Sequence, residues 1–206
     1  LGADKFKVLG AEGSTLPSAH IATIFKAMRT GDPYRIRAGL IFGNNALATY
    51  ANSRQVYESL MKLDLLVVAD LYMTPTAEIA DIVLPAASWA ELDEVVGVPF
   101  VAQNVVLAQQ KTVQIGECKP DELIMCELAR KLGLAHGTET PEEIFDHQLS
   151  QVLGITFQEL KQKGYVQPEF KFHKHEERGG FDTPTGKIEI YSTRMEAMGY
   201  DPLPYY

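Results

Sequence analysis

The chain has 206 residues, of which 46% are hydrophobic, and its formal net charge is −8. This composition supports a buried core, and an acidic chain with scattered Lys and Arg offers no basic surface to nucleic acid. No apolar run approaches the roughly 20 residues that span a bilayer, so direct membrane insertion is not expected. Cys118 and Cys126 lack metal-ligand spacing, which argues against a zinc or iron–sulfur site here.

The first 85 residues alternate between helical and strand patterns. Residues 17–33 carry an apolar stripe at helical spacing, and residues 53–64 carry a second one. Short continuous apolar runs predict strands buried in a parallel sheet near residues 38–43, 65–70 and 81–85. This order is typical of a Rossmann-like, three-layer α/β/α fold with a mainly parallel sheet.

The pattern of the second half of the chain predicts further helices, followed by a change in composition. Residues 98–115 have the loose alternation of an extended segment, and Pro120 opens a helix that Gly133 closes. Two shorter helices follow, each with a capping-box pattern. From about residue 165 the chain becomes polar and rich in Gly and Pro. We therefore predict a nucleotide-binding domain over residues 1–165 and an extended C-terminal segment over residues 166–206.

Ligands of doubly wound sheets bind beyond the carboxyl ends of the strands. After the first strand, Gly43 lets a ligand approach the backbone, and Asn44 and Asn45 follow it. Asp70 ends the next strand, where an acid can accept hydrogen bonds from a ribose or a base. The alternative for Asp70 is a strand-end residue that only caps its turn.

Three other motifs are weaker. His173 and His175 alternate, with two glutamates beside them, but a solvated charged loop explains this stretch better than a metal site does. The segment "GGFDTPTGKI" has the wrong spacing for a phosphate-binding P-loop, and Ile188 stands where the hydroxyl residue is needed. No G-x-S-x-G motif is present, so nucleophile-elbow chemistry has no support.

Four segments in order resemble the molybdopterin oxidoreductase family, specifically its bis-molybdopterin guanine dinucleotide enzymes of the dimethyl sulfoxide reductase type. They are "RAGLIFGNNALATYANS", "LDLLVVADLYMTPTAEIADIVLPAASWAELDE", "KPDELIMCELARKLG" and "FDTPTGKIEIYS" followed by "GYDPLPYY". The resemblance implies that this chain is the third domain of a larger catalytic subunit. That domain would hold the guanosine part of one molybdopterin guanine dinucleotide, and the last segment would lead toward a C-terminal β-barrel.

The resemblance also implies the site residues. Gly43 and Asn45 match the family's Gly-x-Asn-Pro turn, which includes Asn44, although Ala46 replaces the proline. Asp70, Thr74 and Thr76 match the strand-end acid and the hydroxyl residues that surround the guanosine and its phosphates in relatives. No catalytic residue and no metal ligand is expected in this chain, so alone it should show no turnover. The stretch "ASWAELDE" is expected to be a wall and interdomain surface, not a catalytic carboxylate pair.

Cofactors and partners follow from the same resemblance. The parent enzyme is expected to carry molybdenum or tungsten on two pterin guanine dinucleotides, with an iron–sulfur cluster possible in another part of the subunit. Its partners would be the other domains of the subunit and an iron–sulfur electron-transfer subunit. Two interpretations stay open: a cofactor-binding part of a two-electron redox enzyme, or a structural domain of an electron-transfer complex that has lost the cofactor.

Overall fold

The computed structural model describes residues 5–10, 18–98, 105–134, 139–167, 169 and 174–203. The chain divides into two compact units. Unit 1 comprises Leu1–Arg37, Glu58–Lys62 and Lys171–Tyr206, and unit 2 comprises Ala38–Tyr57 and Leu63–Phe170. Within the described residues, every helix is too short or too polar to cross a membrane.

Helices and strands alternate in the first part of the chain. The helices are α1 (Ile21–Thr30), α2 (Ala46–Thr49), α3 (Ser53–Leu60), α4 (Pro75–Glu78), α5 (Asp121–Lys131), α6 (Pro141–Leu153), α7 (Phe157–Lys163), α8 (Lys174–Glu177) and α9 (Thr193–Ala197), and Lys7–Leu9 form a 3-10 turn. The strands are β1 (Ala38–Phe42), β2 (Leu65–Asp70), β3 (Ile82–Pro85), β4 (Glu94–Val98), β5 (Val105–Gln109) and β6 (Tyr165–Val166).

The first three strands form a parallel sheet in the order β1-β2-β3. Leu40 pairs with Val67, and Val67 pairs with Ile82, so the carboxyl ends of all three strands reach the same edge. Apolar residues run along both faces of β2, which is why its sequence is a continuous apolar run and not an alternating one. All three predicted strands are confirmed, and so is the α/β fold with a parallel three-stranded sheet and helices.

A second, antiparallel sheet of order β4-β5-β6 was not predicted. Its inner face packs against α6 and α7. The hydrophobic core between this sheet and the two helices contains four buried residues, Phe145, Leu149, Phe157 and Leu160. The partly buried side chains of Val95, Val106 and Val166 pack against them. The Phe145 and Phe157 rings meet at a tilt of 58° with centroids 5.0 Å apart. Of the extended segment expected over residues 98–115, residues 105–109 form strand β5 of this sheet, and residues 99–104 lie outside the described residues.

The two capping boxes are present as predicted. The hydroxyls of Thr140 and Thr156 accept hydrogen bonds from the backbone N–H groups of Glu143 and Glu159. Each glutamate in turn accepts a hydrogen bond of 2.7 Å from the backbone N–H of its own threonine. These bonds hold the pKa of both glutamates below the ordinary value. They fix the starts of α6 and α7, and so the helix pair that covers the antiparallel sheet.

The chain returns to the parallel sheet just before α5. Ala86, directly after β3, forms a parallel bridge with Lys119. The Lys119 N–H donates to the Pro85 carbonyl at 3.1 Å, and the Ala87 N–H donates to the Lys119 carbonyl at 2.9 Å. Since strand pairing here is parallel, α5 begins at the carboxyl edge of the sheet.

Unit 1 brings together residues from the N-terminal and C-terminal parts of the chain. The Tyr200 hydroxyl accepts a hydrogen bond of 2.9 Å from the Lys7 N–H. In the "TPTGK" segment, the Phe181 N–H donates to the Gly186 carbonyl and closes a turn. Gly180 has a φ of +134°, and a Cβ there would lie 2.4 Å from that same carbonyl oxygen. The turn therefore requires glycine at position 180.

Candidate functional site at the carboxyl edge of the parallel sheet

Gly43 forms the turn directly after β1. Its φ is +52°, a conformation that favours glycine, and its N–H donates to the Ala69 carbonyl at 2.9 Å. A Cβ at this position would meet no atom within 4 Å. The space above the Gly43 backbone is therefore open on the side where a side chain would project, as a ligand that approaches the backbone requires.

Asn45 and Thr76 connect the loops that follow β1 and β2. The Thr76 hydroxyl is fully buried; it donates to Asn45 Oδ1 at 2.9 Å and accepts from the Leu47 N–H at 3.0 Å. Among the described residues, the Asn45 amide nitrogen has no partner. Thr76 thus serves as a brace between two loops, while Asn45 keeps a donor for another group.

Asn44 and Thr74 are also held by their own loops. The Asn44 amide nitrogen donates to the Tyr50 hydroxyl at 3.1 Å, and its oxygen accepts from the Thr49 hydroxyl at 3.1 Å. Thr74 is the N-cap of α4, and its hydroxyl accepts from the Ala77 N–H at 3.2 Å. The helix expected near Ser53 is present as α3, but the four-residue α2 comes between it and the glycine turn.

Asp70 ends β2 at the same edge of the sheet. Its Oδ1 accepts a long hydrogen bond of 3.3 Å from the Tyr72 N–H, so the turn-capping alternative describes part of what this residue does. Its Oδ2 has no hydrogen-bond partner within the described residues, and the side chain is partly exposed. A carboxylate with an unpaired oxygen at the carboxyl edge of a parallel sheet can accept hydrogen bonds from a ligand.

Asp121 is a second carboxylate at this edge that the sequence analysis did not select. It is the first residue of α5, and the pairing of Ala86 with Lys119 brings it to the carboxyl side. Partial burial raises its pKa, and the negative charges of Glu122 and Asp70 raise it further. An acid in the first turn of a helix is common, so the sequence alone gives no signal for this role.

The acidic stretch after β3 contains a buried carboxylate with a structural role. Glu91 is 7% exposed, and it accepts hydrogen bonds from the N–H and hydroxyl of Ser88, the Ile115 N–H and the Cys118 thiol. The thiol and the Ser88 bonds lower the pKa of Glu91 to about 2, and the same contact raises the pKa of Cys118. Glu91 therefore ties this loop to residues 115–118 as an ionised carboxylate. Trp89 in the same loop is 76% exposed.

The other candidate motifs show no metal site within the part of the chain that the structure describes. Across the described residues, no group of three or more His, Cys, Asp and Glu side chains is arranged to hold a metal ion. His173 lies outside the described residues, and the ring of His175 stacks on Phe181 at 4.2 Å between centroids. At the carboxyl edge of the parallel sheet, open space beside the Gly43 backbone and an unpaired acceptor on Asp70 occur together.

Comparison with known proteins identifies the family. The model of the molybdopterin oxidoreductase family matches residues 14–131, which is more than half of the chain. This chain belongs to the molybdopterin oxidoreductase family. It is 35% identical over 91% of its length to an acetylene hydratase of Syntrophotalea acetylenica. It is also 30% identical over 96% of its length to the molybdopterin-containing subunit of a thiosulfate reductase of Salmonella typhimurium.

A solved structure agrees with this family assignment. The acetylene hydratase from Pelobacter acetylenicus superposes with a TM-score of 0.78 over 93% of this chain, at 34% identity. This chain covers 26% of that structure and of the Syntrophotalea hydratase, so it spans about a quarter of the relatives it matches. Membership of the family implies a pterin cofactor that carries molybdenum or tungsten.

Proposed function

We propose that the carboxyl edge of the parallel sheet binds the guanosine part of a molybdopterin guanine dinucleotide. The observation that carries the proposal is the unpaired Oδ2 of Asp70, one strand away from the open backbone turn at Gly43. Guanine presents N1–H and a 2-amino group side by side, and a carboxylate accepts from both. Adenine lacks this donor pair, so it would leave the acceptor unpaired, at a cost of about 1–3 kcal/mol.

The remaining predicted residues take supporting roles in this proposal. Gly43 lets a phosphate or ribose approach the backbone, and the unpaired amide nitrogen of Asn45 donates to it. Thr76 and Thr74 act through the loops, because their hydroxyls already have backbone partners. Asn44 holds the turn through Tyr50. Asp121 adds a second carboxylate at the same edge of the sheet.

The parent protein is proposed to carry the bis-molybdopterin guanine dinucleotide form of the cofactor. When bound, this group supplies two-electron redox chemistry at its metal, and the edge residues described above orient its guanosine end. The other domains of the subunit would supply the remaining contacts and the metal ligand. An iron–sulfur cluster in another part of the subunit and a separate iron–sulfur subunit belong to the same proposal.

A second candidate reaction rests on the 35% identity to acetylene hydratase. Addition of water to a small unsaturated substrate needs no net electron transfer, unlike reduction of thiosulfate. The full-length protein should be assayed for aldehyde formation from acetylene and, separately, for oxidation of reduced viologen by thiosulfate. Turnover in the first assay alone would select the hydratase, and turnover in the second alone would select the redox enzyme.

Nucleotide binding by this chain tests the proposed site directly. We expect weak binding of GDP, weaker binding of IDP, which lacks the 2-amino group, and the weakest binding of ADP. Asp70→Ala should erase the order, and Asp70→Asn should reduce it because one acceptor becomes a donor. The matched control is Asp182→Ala, which removes an exposed carboxylate from unit 1.

Chemical-shift titration reports both affinity and location. The expected perturbations lie at residues 43–46 and 70–76 and near Asp121. Equal binding of GDP and ADP, or perturbations elsewhere only, would contradict the guanosine site. Metal analysis of the full-length protein tests the structural alternative, since a domain that has lost the cofactor would be isolated without molybdenum or tungsten.

A further inference from the structure

The turn after β2 exposes three large apolar side chains that are consecutive in the sequence. Leu71 is 53% exposed, Tyr72 is 76% exposed and Met73 is 62% exposed. Single exposed apolar residues are common on protein surfaces, whereas contiguous exposed apolar groups mark binding surfaces. These residues directly follow Asp70, so they lie at the carboxyl edge of the parallel sheet, beside the unpaired carboxylate oxygen.

Hydrogen bonds hold the backbone of this turn. The Tyr72 N–H donates to Asp70 Oδ1 at 3.3 Å, and the Tyr72 carbonyl accepts from the Thr74 N–H at 2.8 Å. The Thr74 hydroxyl then caps α4. Among the described residues, none forms a hydrogen bond with the Tyr72 hydroxyl. Tyr72 therefore has a fixed backbone and a phenol ring that the described part of the chain leaves open to a ligand.

The Tyr72 backbone is bonded to the same carboxylate that is proposed to bind the base. A carboxylate that accepts from the N1–H and 2-amino edge of guanine contacts the base only at its edge, and both flat faces of the base stay uncovered. An aromatic ring can cover one of these faces, and stacking of bases on aromatic side chains is a general source of nucleotide affinity. Leu71 and Met73 offer apolar contact but no ring, so Tyr72 is the residue of this turn that is suited to stacking.

Trp89 is a second exposed aromatic residue, in the loop that follows β3. Its carbonyl accepts from the Gln109 side chain at 2.7 Å, and the Ala90 carbonyl accepts from the Thr112 N–H at 2.9 Å. These bonds connect the Trp89 loop to β5 and the segment after it, whereas the Tyr72 turn is bonded to Asp70 itself. The hydrogen bonds therefore favour Tyr72 over Trp89 as the residue that contacts a base at Asp70.

We propose, on the basis of the guanosine site proposed above, that Tyr72 stacks on the base whose edge Asp70 binds. The two residues then have different effects on nucleotide binding. Asp70 selects guanine, because the edge of this base carries the matching pair of donors. Tyr72 adds affinity for any base, since every base has an aromatic face. Loss of the ring should therefore weaken the binding of GDP and of ADP by the same factor and leave the ratio of their Kd values unchanged.

Ligand titration of the 206-residue chain, followed by NMR, tests the stacking role. We expect Tyr72→Leu to raise the Kd of both GDP and ADP by at least about fivefold, and Tyr72→Phe to change each Kd by less than about twofold. Ribose 5-phosphate has no base, so Tyr72→Leu should leave its binding unchanged. The H8 proton of GDP should shift upfield on binding, through the ring current of Tyr72. This shift should be kept in Tyr72→Phe and lost in Tyr72→Leu.

Trp89→Leu is the matched control, because it removes an equally exposed aromatic ring from a neighbouring loop. It should leave GDP binding unchanged. A loss of affinity in Trp89→Leu and not in Tyr72→Leu would overturn the stacking role of Tyr72. An equal loss of ribose 5-phosphate and GDP binding in Tyr72→Leu would also overturn it, because Tyr72 would then only hold the loop.

The outcomes also separate the stacking role from the guanosine site. If the wild-type chain prefers GDP to ADP and Tyr72→Leu binds GDP as tightly, the guanosine site stands and the stacking role fails. If GDP and ADP bind equally and Tyr72→Leu weakens both, the stacking role is supported and the selection of guanine by Asp70 fails. If GDP causes no chemical-shift change at residues 70–76, both proposals fail.

Discussion

Replacement of Thr76 by valine separates a brace between loops from a ligand contact. Valine keeps the shape and removes the hydroxyl that donates to Asn45 and accepts from the Leu47 N–H. Each buried polar group that loses its partner costs about 1–3 kcal/mol. Asn45 and Leu47 are partly exposed, so water can satisfy part of the loss, and we expect Thr76→Val to cost about 2 kcal/mol in unfolding free energy.

Urea unfolding followed by far-UV circular dichroism measures this cost. With a slope of about 2 kcal/mol/M, the midpoint should fall by about 1 M. Thr76→Ser is the matched control, because it keeps the hydroxyl and loses one methyl group, for about 1 kcal/mol. In a double-mutant cycle with Asn45→Ala, the two changes should couple by at least about 0.5 kcal/mol. A valine variant as stable as the serine variant, with no coupling, would refute the brace.

Two further changes test the acidic loop and the second core. Glu91→Gln should make the free energy of unfolding depend less on pH between about 2 and 4.5. The ionised Glu91 carboxylate stabilises the fold above its ordinary pKa of 4.5, and this stabilisation is lost as pH falls toward about 2. Urea midpoints between pH 2 and 7 measure it, and wild-type and variant curves that stay parallel would contradict the role. Leu160→Ala, at a fully buried position, should cost about 2–5 kcal/mol. Val152→Ala, at an exposed position, should stay within about 0.5 kcal/mol, and equal losses would count against the α6–α7 core.

The parallel sheet could be predicted because its signals are local. Each strand is a short apolar run, and each run is separated from the next by polar turn residues or a helical stripe. The antiparallel sheet could not be predicted in the same way. Its third strand is only Tyr165–Val166, and its partner Val106 lies far away along the chain, so no local pattern marks the pairing.

The candidate site was predictable in position more than in detail. Gly43 and Asp70 follow apolar runs, and the parallel arrangement brings them to one edge. The role of Thr76 cannot be inferred from the sequence, because a threonine in a loop has the same sequence pattern whether it contacts a ligand or a backbone N–H. The position of Asp121 at this edge depends on the pairing of Ala86 with Lys119, a long-range contact that cannot be predicted from residue spacing.

That pairing also bears on how this part of the family can vary. The chain leaves the sheet after Pro85 and comes back at Lys119, and the two points are joined by hydrogen bonds. The segment between them contains β4 and β5, and hydrogen bonds between its two ends hold those ends together. Insertions or deletions within it therefore leave the distance from β3 to α5 unchanged. The segment between Pro85 and Lys119 can therefore change in evolution to fit different neighbouring domains, while Asp70 and Asp121 stay at the same edge of the sheet.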